Sequence, residues 1–223
     1  MNNILTIDSS SHILRLALSY QGDRLVKSEE EAEQSHGQIL LKKIDALFTS
    51  ADIRKEELDA IIVTTGPGSF TGLRIGIAAA KGIAVALGIP IVSVNLFELA
   101  SHKLQFETEE IDVIVPFKKD EFFVVPVFQN CYDLTKLKTI TIKNFVEQYQ
   151  SKNFASFGID FQTYFEGLAE FDFSEKLLYD ASDIDIIGKI KITNEEFEDI
   201  SLLEPLYIQK SQAEINFELK NKK

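Results

Sequence analysis

One cysteine, Cys131, occurs in 223 residues. A single thiol excludes an internal disulfide and a thiolate zinc site. Basic residues are also scarce: 23 Lys and Arg stand against 35 Asp and Glu, a formal charge of −12. Proteins that bind nucleic acid usually show a basic patch, because affinity comes from releasing phosphate counterions. Here the basic residues are scattered, apart from Lys210, Lys220, Lys222 and Lys223. Little autonomous affinity for nucleic acid is expected, and the tail lysines read as a solvated terminus. The start, Met1 to Asp8, has no basic segment and no long apolar run. No signal peptide is expected. The longest apolar stretch, Ile75 to Leu87, is interrupted by Lys81 and two glycines and is short for a bilayer. No membrane association is expected, and the cytosol is the expected location.

Hydrophobic residues make up 45% of the chain, enough for a packed core in one large domain or two small ones. Ile4 to Asp8 reads as a buried strand, and Leu14 to Tyr20 alternates as a half-buried strand does. Arg24 to Glu30 can return as a third strand after the turn Gln21-Gly22-Asp23. Ser35 offers an N-cap to a helix whose face is Ile39, Leu40, Ile44, Leu47 and Phe48. A strand at 60–65, a loop and helix to Leu87, a strand at 89–94 and a helix at 96–104 follow. The pattern then restarts with strands at 112–117 and 122–128, a helix at 143–149 and a strand at 154–157. Helices near 161–169 and 183–192 complete it. Two degenerate copies of one plan are expected, divided as residues 1–104 and 105–223.

The segment Gly66-Pro-Gly-Ser-Phe-Thr-Gly72 concentrates turn residues between a strand and a helix. Pro67 followed by Gly68 predicts a type II turn with positive φ at Gly68. Ser69 or Thr71 can then cap the helix. A capped helix start attracts anions, which makes Asp8, Gly66, Gly68 and Ser69 phosphate candidates. The spacing is neither a P-loop, since no Gly-Lys-Ser/Thr follows, nor a G-x-G-x-x-G fingerprint. In the helix, Gly72, Gly76 and Ala80 fall at i, i+4, i+8, with Ala79 and Ala86 nearby. Glycine costs about 1 kcal/mol against alanine inside a helix, so something approaches this stripe closely. Either the chain's own sheet does so, or the helix of a partner.

The string Gly66-Pro-Gly-Ser-Phe-Thr-Gly-Leu-Arg-Ile-Gly76 resembles the signature of the TsaB (formerly YeaZ) family. Ile7-Asp-Ser-Ser10, the helix beginning near His36 and Glu204-Pro-Leu-Tyr207 support the resemblance, which is dense over residues 1–100. It departs at Phe117-Lys-Lys-Asp-Glu-Phe-Phe123, where relatives carry an Ala-Arg-x-Gly-Glu-Val-Tyr-like segment. The resemblance implies an α/β chain of the actin/Hsp70/sugar-kinase-like (ASKHA) fold with two related subdomains. It implies a non-catalytic subunit that binds a TsaD-like catalytic protein through helices of the first half. A TsaE-like ATPase completes that assembly, which threonylcarbamoylates the adenosine beside the anticodon of ANN-decoding tRNAs. tRNA is then met indirectly, ATP or ADP belongs to the interface of the complex, and the chain alone holds no cofactor. The partner-binding residues so implied are His36, Leu40, Gly72, Arg74, Gly76, Ala79 and Ala80. Without the partner, a homodimer through the same face is expected.

The residues themselves argue against independent catalysis. Metal-binding relatives use a His-x-x-x-His pair on one helix face. Here His36 is followed at that spacing by Leu40, and His12 and His102 are isolated. A histidine in that position reads as a surface or capping residue. Asp8-Ser-Ser-Ser11 lacks a hairpin glycine and reads as an Asx turn. Gly158 and Gly167 form no paired loop, no Gly-x-Ser-x-Gly elbow occurs, and Cys131 has no identifiable histidine partner. Two other readings stay open: an ATP-dependent small-molecule kinase of the same fold, and a metallopeptidase.

Overall fold

Strand β1 (Ile4–Asp8) is buried at every position, as a central strand must be, and its alternation sets two different faces. Leu5 and Ile7 point to one side, and Ile4, Thr6 and Asp8 to the other. A computed structural model gives this arrangement and describes residues 1–31, 36–105, 109–118, 120–150, 152–157 and 174–206. β2 (Ile13–Tyr20) and β3 (Arg24–Glu31) continue β1 as an antiparallel meander, with Asp8 opposite Arg15. β4 (Ala60–Gly66) and β5 (Ile91–Asn95) add on the other side in parallel, giving the order β3-β2-β1-β4-β5. Helices α1 (His36–Ala51) and α2 (Phe70–Leu87) cover the Leu5/Ile7 face. Their heptad-like rows, Leu40, Ile44, Leu47 and Phe48 from α1 and Ile77, Ala80 and Ala84 from α2, form that core.

α3 (Leu96–Lys103) leads to a second sheet, built from β6 (Ile111–Lys118), β7 (Glu121–Phe128), β8 (Cys131–Tyr132), β9 (Lys138–Thr141), β10 (Phe154–Phe157) and β11 (Ser174–Leu177). Its order is β11-β10-β6-β7-β8, with β9 also paired to β7. β6 and β7 are antiparallel, whereas β10 and β11 run parallel to β6. Both sheets therefore place an antiparallel hairpin beside two parallel strands, the plan of the actin-like class. α4 (Ile142–Tyr149) closes the outer face of the second sheet through Phe145, which stacks on Tyr149 at 4.7 Å between centroids and meets Phe154 edge-on at 5.2 Å.

The two inner faces share one core with α3 and with α5 (Ala181–Thr193). α5 follows the second sheet in the chain but packs on the first, so cover for the first sheet comes from beyond residue 104. Gly188 permits this approach, since a Cβ there would lie 2.4 Å from Ile62. Asp180 starts α5 by a capping box with Asp183.

The predicted meander, the helix–strand alternation and the restart near residue 111 match these elements, but β2, expected to be half-buried, is buried on both faces from Leu14 to Ser19 because helices cover both sides of the sheet. The short strands β8, β9 and β11 are additions that no sequence pattern marked. The predicted helix at 161–169, Ser35, Lys119, Gly158, Gly167, Tyr207 and the tail lysines lie outside the described residues. Of the divergent segment at 117–123, residues 117–118 end β6 and residues 121–123 begin β7, its antiparallel partner. α2 begins earlier than the apolar stretch read from sequence. With 18 residues and a mean hydropathy of 1.5, it is long and apolar enough to cross a membrane by length and composition alone. Here Leu73, Ile77, Ala80 and Ala84 of α2 are buried within the fold.

Candidate functional site

Three segments converge where β1 and β4 end: the turn Asp8–Ser11, the loop Gly66–Ser69 and the residue Tyr179 ahead of α5. Asp8 is fully buried at the end of β1. Its Oδ1 accepts from the Ser10 amide at 2.9 Å and from Thr64 Oγ1 at 2.7 Å. Its Oδ2 accepts from Tyr179 OH at 3.1 Å and lies 3.4 Å from Arg15 Nη1. The first of these contacts is the Asx turn read from sequence. Arg15 also donates to Ser11 Oγ at 3.0 Å, and its guanidinium carbon stands 4.3 Å over the Tyr179 ring. Burial pushes the Tyr179 hydroxyl up, and the Asp8 charge adds to the shift, so Tyr179 stays protonated as a donor.

The loop differs from the predicted type II turn. The Gly66–Pro67 peptide is cis and the positive φ, +106°, falls on Gly66 rather than Gly68. Gly68 is required for a different reason: a Cβ there would meet the Ser10 carbonyl oxygen at 2.1 Å. That oxygen accepts from the Ser69 amide at 2.6 Å. Ser69, not Thr71, caps α2, its Oγ accepting from the Gly72 amide at 3.1 Å.

The same closeness explains the small-residue stripe. A Cβ on Gly72 would lie 2.2 Å from the Ser9 carbonyl oxygen, and one on Gly76 2.2 Å from Ser9 Oγ. Ser9 Oγ in turn donates to the Gly72 carbonyl at 2.8 Å. Of the residues assigned to a partner-facing stripe, Gly72, Gly76, Ala80 and Leu40 are therefore buried in this chain, Ala79 is half-buried, and Arg74 is exposed over the Phe70 ring. The structure corrects His36 as well. It is only 7% exposed, and its Nε2 contacts the Ser11 carbonyl oxygen at 2.7 Å. A carbonyl can only accept, so Nε2 carries the proton. Nδ1 is buried and has no partner among the described residues.

Among the described residues, two surfaces are open around these contacts. A cleft of about 710 Å³ lies between the sheets, with Ser10, Ser11, Arg15 and Ser69 on one wall and Val115, Phe157 and Leu177 on the other. On the opposite side, the outer faces of α1 and α2 expose apolar residues, chiefly Val85 at 70% and Leu41 at 59%. Between those helices runs a groove of about 250 Å³ lined by Leu41, Phe48, Leu58, Ile83 and Leu87. Ala78, Gly82 and Ala86 add small exposed positions on α2. Among the described residues, no three His, Cys, Asp or Glu side chains group to hold a metal ion.

Sequence reasoning missed Arg15, Thr64, Tyr179, Leu41 and Val85. A charge inside the apolar alternation of β2 was the available signal for Arg15. Tyr179 gave none, because 171 residues separate it from Asp8. The Glu204-Pro-Leu206 match docks nearby, the Leu206 amide donating to the Thr65 carbonyl at 2.8 Å.

The family profile TsaD, tRNA N6-adenosine threonylcarbamoyltransferase, matches residues 29–125. The tRNA threonylcarbamoyladenosine biosynthesis protein TsaB of Haemophilus influenzae is 30% identical over 113 residues, 50% of this chain and 47% of that protein. The protein of the same name from Bacillus subtilis is 33% identical over 105 residues, 47% of this chain and 46% of that protein. The chain thus spans about half the length of the curated relatives it matches. A Porphyromonas gingivalis tRNA N6-adenosine threonylcarbamoyltransferase is 42% identical over 66 residues, 30% of this chain and 19% of that protein. Among solved structures, YeaZ from Pseudomonas aeruginosa superposes with a TM-score of 0.70 at 23% identity, covering 93% of this chain and 100% of that one. At that identity the likeness concerns the fold alone.

Proposed function

We propose that the chain, which is similar to TsaB (YeaZ) proteins over about half its length, is a TsaB-type non-catalytic docking subunit. Its partner is a TsaD-like protein, and the task they share is threonylcarbamoylation of the adenosine next to the anticodon of ANN-decoding tRNAs. The observation that carries this reading is the contrast between the two surfaces. Both carboxylate oxygens of Asp8 are engaged within the chain, by Ser10, Thr64, Arg15 and Tyr179. The outer face of α1 and α2, by contrast, leaves Leu41, Val85 and an apolar groove exposed. Exposed apolar area of this kind marks an interaction surface. The small residues Ala78, Gly82 and Ala86 beside it allow a second helix to come close.

The docking residues are then the exposed Leu41, Arg74, Ala78 and Val85, with Gly72, Gly76 and Ala80 acting from behind to seat α2. A TsaE-like ATPase, with ATP or ADP at the interface of the assembly, joins through the partner, in the cytoplasm. The chain alone self-associates through the same face.

Co-expression with the TsaD-like protein of the same cell, followed by size exclusion, tests the reading. The pair should elute together, and Leu41→Asp with Val85→Asp should separate it while the melting temperature stays unchanged. A complex indifferent to both charges would place docking elsewhere. The cleft favours a second reading, a small-molecule kinase. Calorimetry of the chain with millimolar Mg²⁺·ATP decides it, since absence of heat removes that activity.

A further inference from the structure

The turn Ser9–Ser11 bonds in three directions at once. Ser9 Oγ donates to the Gly72 carbonyl at 2.8 Å, and the Ser10 carbonyl accepts from the Ser69 amide at 2.6 Å, which together fix the start of α2. The Ser11 carbonyl accepts from His36 Nε2 at 2.7 Å, which fixes the start of α1. Toward the cleft, Ser11 Oγ accepts from Arg15 Nη1 at 3.0 Å, and Ser10 Oγ lies 3.4 Å from Tyr179 OH. Tyr179 follows β11 and meets Phe157 of β10 edge-on at 5.3 Å, while its hydroxyl reaches Asp8 of β1, so it ties the second sheet to the first. The turn and α2 are in close backbone contact, since a Cβ on Gly68 or Gly72 would lie 2.1 or 2.2 Å from the carbonyl oxygens of Ser10 and Ser9.

We infer that this turn is a mechanical coupling element between the cleft and the helices α1 and α2. A shift of the second sheet, delivered through Tyr179 to Ser10 and Arg15, reaches His36 and Gly72 through one continuous set of hydrogen bonds. Both helix starts then move together. Coupling of this kind needs a contiguous packed network with two arrangements, and the contacts above supply the network. The device regulates the docking surface proposed above and rests on that reading only for its last step, the effect on partner binding. Tyr179, Ser10 and His36 are positioning residues in it.

Amide hydrogen exchange on the full chain tests the coupling. Tyr179→Phe keeps the ring on Phe157 and removes only the hydroxyl. It is expected to speed exchange at Leu40–Ile44 and Leu73–Ile77 at least about five-fold, the factor that one net hydrogen bond of about 1 kcal/mol represents, because the hydroxyl lost is a donor to the Asp8 carboxylate. α4, on the far face of the second sheet, should not change. In a His36→Ala background, Tyr179→Phe should still act on α2 and no longer on α1, a non-additivity that separate effects would not give. If Tyr179→Phe opens the whole fold, Ser10→Ala removes only the Ser10–Tyr179 contact, leaves the Tyr179–Asp8 bond in place, and should speed exchange at the same two helix starts to a smaller degree. Faster exchange confined to the cleft walls, or an unchanged α1 response in the His36→Ala background, overturns the inference. Affinity for the TsaD-like partner separates the two ideas. Faster helix exchange with unchanged affinity leaves the coupling standing and removes the docking reading. Lost affinity with unchanged exchange does the reverse.

Discussion

Two glycines of α2 differ in one respect, and alanine at each should act with opposite sign. At Gly72 a new Cβ would lie 2.2 Å from the Ser9 carbonyl oxygen. That is roughly 1 Å inside an ordinary C···O contact of about 3.3 Å. The oxygen cannot retreat cheaply, since the turn is held by the Ser69 amide at 2.6 Å and by His36 at 2.7 Å. Overpacking of this kind costs about 1–3 kcal/mol. Displacing α2 also stretches the Ser69 cap, worth about 1 kcal/mol. Against these stands a gain of about 1 kcal/mol from alanine's helix propensity. The sum for Gly72→Ala is a loss of roughly 1–3 kcal/mol. At Gly82, on the exposed side of the same helix, nothing lies within 4 Å of a new Cβ. There the propensity term acts alone, and Gly82→Ala should stabilise by up to about 1 kcal/mol. Urea unfolding at 25 °C reads both, with Gly72→Ala moving the midpoint down by roughly 0.5–1 M at unchanged slope and Gly82→Ala moving it up. If Gly72→Ala also moves the midpoint up, α2 does not press on Ser9 and the explanation of the stripe is wrong.

Other expectations concern charge and packing. Burial alone would raise the Asp180 carboxyl, but Lys27 and the Ser182 donors outweigh it and hold it at about 2, below the ordinary 3.8. A carboxylate depressed in the folded state contributes stability above its unfolded pKa and loses it as pH falls through the folded value. The start of α5 should therefore loosen between about pH 4 and pH 2, and Asp180→Asn should flatten that part of an acid-unfolding curve. Leu203, buried under the α2 side of the first sheet, should cost about 2–3 kcal/mol as Leu203→Ala by thermal or urea unfolding, and a neutral result would detach residues 200–206 from that core. Gly76→Leu should lower stability through its clash with Ser9, so reduced partner binding in that variant would report misfolding rather than docking, and the chain's own melting curve distinguishes them.

Much of the first half was legible in the sequence because its signals are local. Strand alternation in Leu14–Tyr20, the 3.6-residue row of α1, the Ser69 cap and the Asx turn at Asp8 each depend on neighbours a few residues apart. The absence of a His-x-x-x-His pair, a P-loop and a nucleophile elbow is equally local, and it set the reading away from independent catalysis. The short strands β8, β9 and β11 were not legible, since two to four residues carry too little periodicity to mark a strand.

The sequence by itself determined that Gly72, Gly76 and Ala80 share one face of α2 and that something must come close to it. It could not say what, because helical periodicity fixes which residues share a face and not which neighbour that face meets. The tertiary structure decided that the neighbour is Ser9 of the same chain, and it turned the exposed side of α2, with Val85 and Gly82, toward the outside. It also decided the fate of Asp8, whose partners Thr64, Arg15 and Tyr179 come from separate parts of the chain. A carboxylate's role depends on which groups reach its oxygens, and only the packing of β1, β2 and β4 against the residue preceding α5 brings these groups within hydrogen-bond distance.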